Sequence, residues 1–190
     1  MTVEPWFVLL LVAISPFALL GISYNRFVVQ VASTNATWAN IDTQLQRRHD
    51  LIPNLVRTVA GYAAHERDTF EAVTAARTRA IAAIPTDVSV DQQARAEDAL
   101  TQGLTSLLAV TEGYPPLKSD RNFRDLQRQL VETEDRIAAS RRLYNLEVAA
   151  YERRRRSLPS NLVANAFGFD ERRLFEIQDA AAAHAVEVGF

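Results

Sequence analysis

From Pro5 to Asn25 the chain carries no charged side chain, and most of that stretch is large and apolar. A helix from Trp6 to Tyr24 rises roughly 27 Å at 1.5 Å per residue, close to the ~30 Å of a bilayer's hydrocarbon layer, with an aromatic ring at each end. The run therefore predicts a transmembrane anchor over residues 1–25. A cleaved signal peptide is the competing reading, yet Met1-Thr2-Val3-Glu4 has no Lys or Arg and Leu20-Gly21-Ile22-Ser23 is a poor cleavage site. Pro16 is no obstacle, because spanning helices absorb prolines as kinks. Only Arg26 lies close to the run, on its C-terminal side, so the positive-inside rule places the main body in the cytoplasm.

Beyond the anchor the chain is long enough for one domain with a real core and too short for two. Apolar side chains recur there at spacings of three and four, and no strand-like alternation occurs. Phe27, Val31, Trp38, Ile41 and Leu45 make a first stripe, with Thr34 filling one step. Leu55, Val59, Tyr62, Phe70, Val73 and Ile81 make a second, which Ile84-Pro85-Thr86-Asp87 ends. Ser89 and Gln92 form an S-x-x-Q capping box for a third helix with Leu100, Leu104, Leu107, Leu108 and Thr111 on its face, stopped by Gly113-Tyr114-Pro115-Pro116. A fourth opens near Ser119 or Asp120, carries Phe123, Leu126, Leu130, Ile137, Tyr144, Val148 and Tyr151, and closes in Arg153-Arg154-Arg155-Arg156. A short apolar element over Leu158–Phe169, with Ser160 as its cap, comes next. The Ala-rich residues 178–190 read as a frayed helix or mobile tail.

The stretch Arg47-Arg48-His49-Asp50-Leu51-Ile52-Pro53-Asn54-Leu55-Val56 decides how these helices are joined. Proline has no backbone N–H and clashes with the preceding turn, so a helix reaching Leu51 kinks or restarts, and Asp50 suits a restart as an N-cap. The spacing from Leu45 to Ile52 fits either a reversal or one bent rod. An unbroken helix from Arg26 to Ile84 would measure roughly 85–90 Å against roughly 35 Å for the third helix, leaving Trp38, Ile41 and Leu45 unpartnered within the chain and calling for self-association. A reversal at Asp50–Pro53 gives instead an all-α fold in which an antiparallel four-helix bundle follows the transmembrane helix, and this is the expected architecture.

The Arg47–Val56 stretch, together with Tyr114-Pro115-x-Leu117-Lys118, Glu134-x-x-Ile137-x-x-x-Arg141 and Tyr144-Asn145, resembles the LemA family of bacterial membrane proteins. The likeness runs from about Tyr24 to Ile177. It implies a membrane-anchored helical bundle over 26–177 with its main body in the cytoplasm, and no established reaction. Some relatives are associated with membrane proteases or membrane-organising systems.

The residues give no reaction either. With no cysteine there is no thiolate site or disulfide framework, and a net charge of −2 with a pI near 5.9 argues against nucleic acid as a partner. The residues three before His49, His65 and His184 are Gln46, Tyr62 and Ala181, so the Glu-x-x-His pairs of a di-iron bundle are missing. His65-Glu66 lacks the second histidine of a zinc protease, since Thr69 stands there. No cofactor or metal is expected.

Two groups of polar residues remain. Arg48, Asp50 and Asn54 share one turn, and Glu134, Arg141 and Asn145 share one side of the fourth helix. They are expected to form a buried structural network that fixes register, with a hydrolase built on Arg48, Asp50 and Glu134 as the weaker reading. Arg153, Arg154, Arg155 and Arg156 are expected either to face an anionic leaflet, with Leu158–Phe169 lying in the interface, or, with equal weight, to be a solvated helix end that complements the dipole, followed by a core-capping turn. The combined expectation is a non-catalytic scaffold or interaction module. Its partners would be the lipid bilayer and either a membrane protein or a second copy. An extracytoplasmic sensor or adaptor is the alternative.

Overall fold

The structure, a computed structural model, describes residues 5–84 and 89–176, the side chains at 5, 7–13 and 15–18 excepted. The side chains of the expected anchor lie largely outside the described residues, and the expected tail over 178–190 wholly so. Among the described residues no helix is long and apolar enough to cross a membrane. Every element among the described residues is helical: α1 (Pro5–Ala60), α2 (Arg67–Ala82), α3 (Val90–Thr111), α4 (Pro115–Ser119), α5 (Arg121–Arg156) and α6 (Ser160–Phe167).

The expected reversal at Asp50–Pro53 does not occur. α1 continues through Pro53 to Ala60, and the chain leaves it at Gly61–Glu66. Two features account for this. Ile41, Leu45, Arg48, Ile52, Leu55 and Val59 are all buried, so the three-four stripe crosses the proline without a change of phase. Pro53 also leaves the carbonyl of His49, four residues back, without its usual donor. That carbonyl accepts instead from Arg77 Nε of α2, at 2.7 Å. Asp50 is not a cap; it is exposed, and its Oδ1 accepts from Gln46 Nε2 at 2.9 Å. Ile41 and Leu45, which a straight rod is expected to leave unpartnered, are fully buried within the chain.

The chain divides into two compact units. One comprises Ala39–Arg142 with the described residues from Phe175 on. In it α1, α2, α3 and α5 feed one core through Ile52, Leu55 and Val59, Val73, Ala76 and Ala80, Leu100, Leu104 and Leu107, and Phe123 and Leu130, with Leu117 of α4 closing it. Small residues let α2 and α3 approach closely: a Cβ added at Gly103 would lie 3.4 Å from Val73 Cγ2. The caps explain the boundaries. Ser89 Oγ accepts from Gln92 N at 3.3 Å, Asp120 Oδ1 accepts from Phe123 N at 2.9 Å, and Pro115 begins α4, where its missing N–H costs nothing.

The other unit comprises the described residues up to Trp38 with Leu143–Leu174. Phe27 stacks on Phe169 with centroids 4.7 Å apart and meets Tyr151 edge-on at 5.9 Å. Trp38 packs on Tyr144 at 5.0 Å. The segment after α6 is tied down by its backbone, with Tyr151 Oη donating to the Asp170 carbonyl at 2.7 Å and Tyr144 Oη to that of Arg173 at 3.0 Å. Ser160 proves to be the first helical residue rather than the cap, since Pro159 takes the capping position and no side chain serves there. α6 stops at Gly168, whose φ of 69° is the left-handed conformation that closes a helix and favours glycine.

Candidate functional site

α1 places Arg48 on its buried stripe, where a leucine would be the ordinary choice. Its guanidinium is 1% exposed and meets three partners in the same unit. Nη2 donates to Glu97 Oε2 of α3, and Nη1 donates to Thr101 Oγ1 at 3.2 Å and to Glu134 Oε1 of α5 at 3.1 Å. Glu97 is fully buried, whereas Glu134 is 39% exposed, so Glu97 is the partner that depends most on Arg48.

The second oxygen of Glu97 faces His49 Nε2 at 3.1 Å. A carboxylate only accepts, so His49 holds a proton on Nε2; its buried Nδ1 has no partner among the described residues. Burial works against a charge on Glu97, but the hydrogen bond from His49 and the Arg48 guanidinium outweigh it and hold the carboxyl below its ordinary range. Burial likewise opposes the charge on Arg48, and Glu97 and Glu134 overcome it. Asp42 moves the other way: burial raises it, the nearby Gln93 amide lowers it, and the charge of Glu97 raises it again.

This cluster joins three helices through charge-assisted bonds, with the Arg48–Glu97 pair closed to solvent and Glu134 reaching it from the edge, and Arg48 and Glu97 offer no surface on which a substrate could be held. Among the described residues no group of His, Asp and Glu could hold a metal ion. The arrangement has the chemistry of a clamp: it fixes the rotation of α1 against α3 and α5, because any slip leaves a buried charge unpaired.

The sequence profile of the LemA family matches residues 37–190, which takes in the whole of this cluster. The chain belongs to the LemA family. Two magnetosome proteins of Paramagnetospirillum magneticum, MamQ 1 and MamQ 2, are each 29% identical to this LemA chain over 185 residues, covering 86% of it and 68% of the relative. MamQ of Magnetospirillum gryphiswaldense is 26% identical over 179 residues, covering 83% and 66%.

Of the six network residues read from the sequence of this LemA protein, Arg48 and Glu134 meet. Asp50 and Asn54 are exposed at the surface of α1, where Asn54 Oδ1 accepts from Arg57 at 3.4 Å. Arg141 and Asn145 are partly buried and engaged by other groups, and Asn145 falls in the aromatic unit. Sequence reasoning passed over Glu97 and Arg77 and weighed His49 only as a metal ligand. Glu97 left one signal: it stands three residues before Leu100 on the apolar stripe of α3, a place where a carboxylate needs a partner.

The four arginines closing α5 divide into two kinds. Arg155 is held by Glu152 at 3.0 Å and by Glu171 at 3.7 Å, and Arg156 meets the same two carboxylates at 3.3 and 3.4 Å. Arg153 points to solvent. Arg154 lines a cleft of about 460 Å³ with Ile22, Asn25, Arg26, Val29 and Gln30.

Proposed function

We propose that the chain is a single-pass, membrane-anchored helical protein without catalytic activity, serving as a scaffold or interaction module at the cytoplasmic membrane surface. The observation that carries this reading is the continuity of α1. One helix begins in the uncharged run and ends in the packed core, with no loop between them. The buried clamp supports it further, since Arg48, Glu97 and Glu134 account for one another's charges and need no substrate to explain them. A hydrolase built on Arg48, Asp50 and Glu134 has no such support, because Asp50 stands on the surface bonded to Gln46. The relatives are named as magnetosome proteins, and their names carry no reaction.

Extraction tests the anchor. Washed membranes from cells expressing the full chain are treated with alkaline carbonate, and the chain is expected in the pellet until detergent is added. Recovery in the carbonate supernatant overturns the reading. Crosslinking in the same cells, from cysteines introduced at exposed positions of α3, identifies the partner or second copy that a scaffold requires.

A further inference from the structure

α6 is held to its unit by Val163 and Ala164, which are buried, yet Leu158, Leu162 and Phe167 are 77%, 60% and 60% exposed. Three large apolar side chains left in water over so short a segment are a cost without a return in an isolated domain: Leu158 in the turn before α6, Leu162 on its outward side, and Phe167 at its C-terminal end, about 140° round from Leu162 and against Tyr24. The fold fixes where they lie. Phe167 packs on Tyr24 with centroids 4.9 Å apart and Phe169 stacks on Phe27, so α6 sits beside the turn of α1 where the uncharged run ends.

Cations accompany it at the same level. The cleft shared by Arg26 and Arg154 has apolar walls in Ile22 and Val29 and amides in Asn25 and Gln30. Arg155 and Arg156 spend their charge on Glu152 and Glu171, whereas neither Arg26 nor Arg154 has a carboxylate partner among the described residues. Two uncommitted guanidinium groups over an apolar wall match the phosphate of an anionic phospholipid and the start of its acyl chain.

We propose that α6 lies in the headgroup layer with Leu158 and Leu162 inserted and Phe167 at its border beside Tyr24, and that Arg26 and Arg154 bind the phosphate of an anionic phospholipid. This rests on the membrane-anchored reading and narrows the lipid contact from four arginines to a defined pair and the segment Leu158–Phe167.

The full chain has no cysteine, so single-cysteine variants Leu162→Cys, Phe167→Cys, Ile14→Cys and Ser106→Cys can each carry one environment-sensitive fluorophore. Each is reconstituted into vesicles of phosphatidylcholine and phosphatidylglycerol in which one lipid or the other bears a nitroxide quencher. Labels at 162 and 167 are expected to be quenched, several-fold more by the phosphatidylglycerol probe than by the phosphatidylcholine probe. In the Arg26→Gln/Arg154→Gln background that ratio falls to one. The label at 106, on an exposed face of α3, stays unquenched.

Quenching at 14 with none at 162 and 167 overturns the α6 contact while leaving the anchor intact. No quenching at 14 overturns the anchored reading and this inference together. Equal quenching by the two lipids, unchanged by the arginine substitutions, overturns the phosphate site. Labels at 162 and 167 that are shielded from water without lipid quenching point to a protein on that face and reject the lipid assignment.

Discussion

Arg48 stands where a helix stripe ordinarily places a leucine, and its neighbours are arranged around that anomaly. Removing one partner of a buried ion pair leaves the other as an uncompensated charge, which costs far more than the intact pair contributes. Glu97→Ala is therefore expected to lower stability by about 3 kcal/mol, a fall in melting temperature of roughly 6–12 °C in a chain of this size. Differential scanning calorimetry measures it, and no change in melting temperature would rule out the clamp. The pH dependence comes from the same contacts. Because the folded Glu97 carboxyl lies below its unfolded value, its contribution is present above the ordinary carboxylate range near ~4.3 and is lost as pH falls through the folded value. Asp42, raised by burial, acts in the opposite sense and is relieved by protonation. The acid loss of stability attributable to Glu97 should be absent from Glu97→Ala, as denaturant midpoints taken across acidic pH would register.

The helix boundaries show what sequence can and cannot carry. The starts of α3 and α5 were legible because Ser89 and Asp120 cap their own first turns, three residues away. Pro53 misled for a converse reason: a local rule forecasts a break, and the group that cancels it comes from another helix. Arg77 stands 24 residues beyond the proline and supplies the donor that the His49 carbonyl lacks. Glu97 was hidden in the same way, since its partners Arg48 and His49 lie about half a hundred residues back in the chain and no spacing rule joins them. The Arg77 contact gives a prediction for α1 as an element. Arg77→Ala should cost about 1–2 kcal/mol by leaving a partly buried carbonyl without a donor. In a Pro53→Ala background the cost should shrink, because an alanine at that position brings its own N–H to the carbonyl. A double-mutant cycle by chemical denaturation reads the difference, and strict additivity would mean the two residues are not linked through the His49 carbonyl.

At the scale of the whole molecule, the proposed anchor makes the direction of entry into the bilayer decide what the surfaces can meet. Under the proposed anchored reading, Arg26, the cation beside the uncharged run, would direct Ala39–Arg142 to the cytoplasm. Ser106→Cys is then expected to resist a membrane-impermeant maleimide in intact cells and to react once the inner membrane is permeabilised. Labelling in intact cells would reverse the orientation and favour a receptor for signals outside the cytoplasm. The seat of Arg48 within Ala39–Arg142 adds a mechanical corollary. Its guanidinium ties this stretch of α1 to α3 and α5 at one level of the core. Twisting that stretch against its two neighbours would load these salt bridges before it loosened the softer apolar contacts around them.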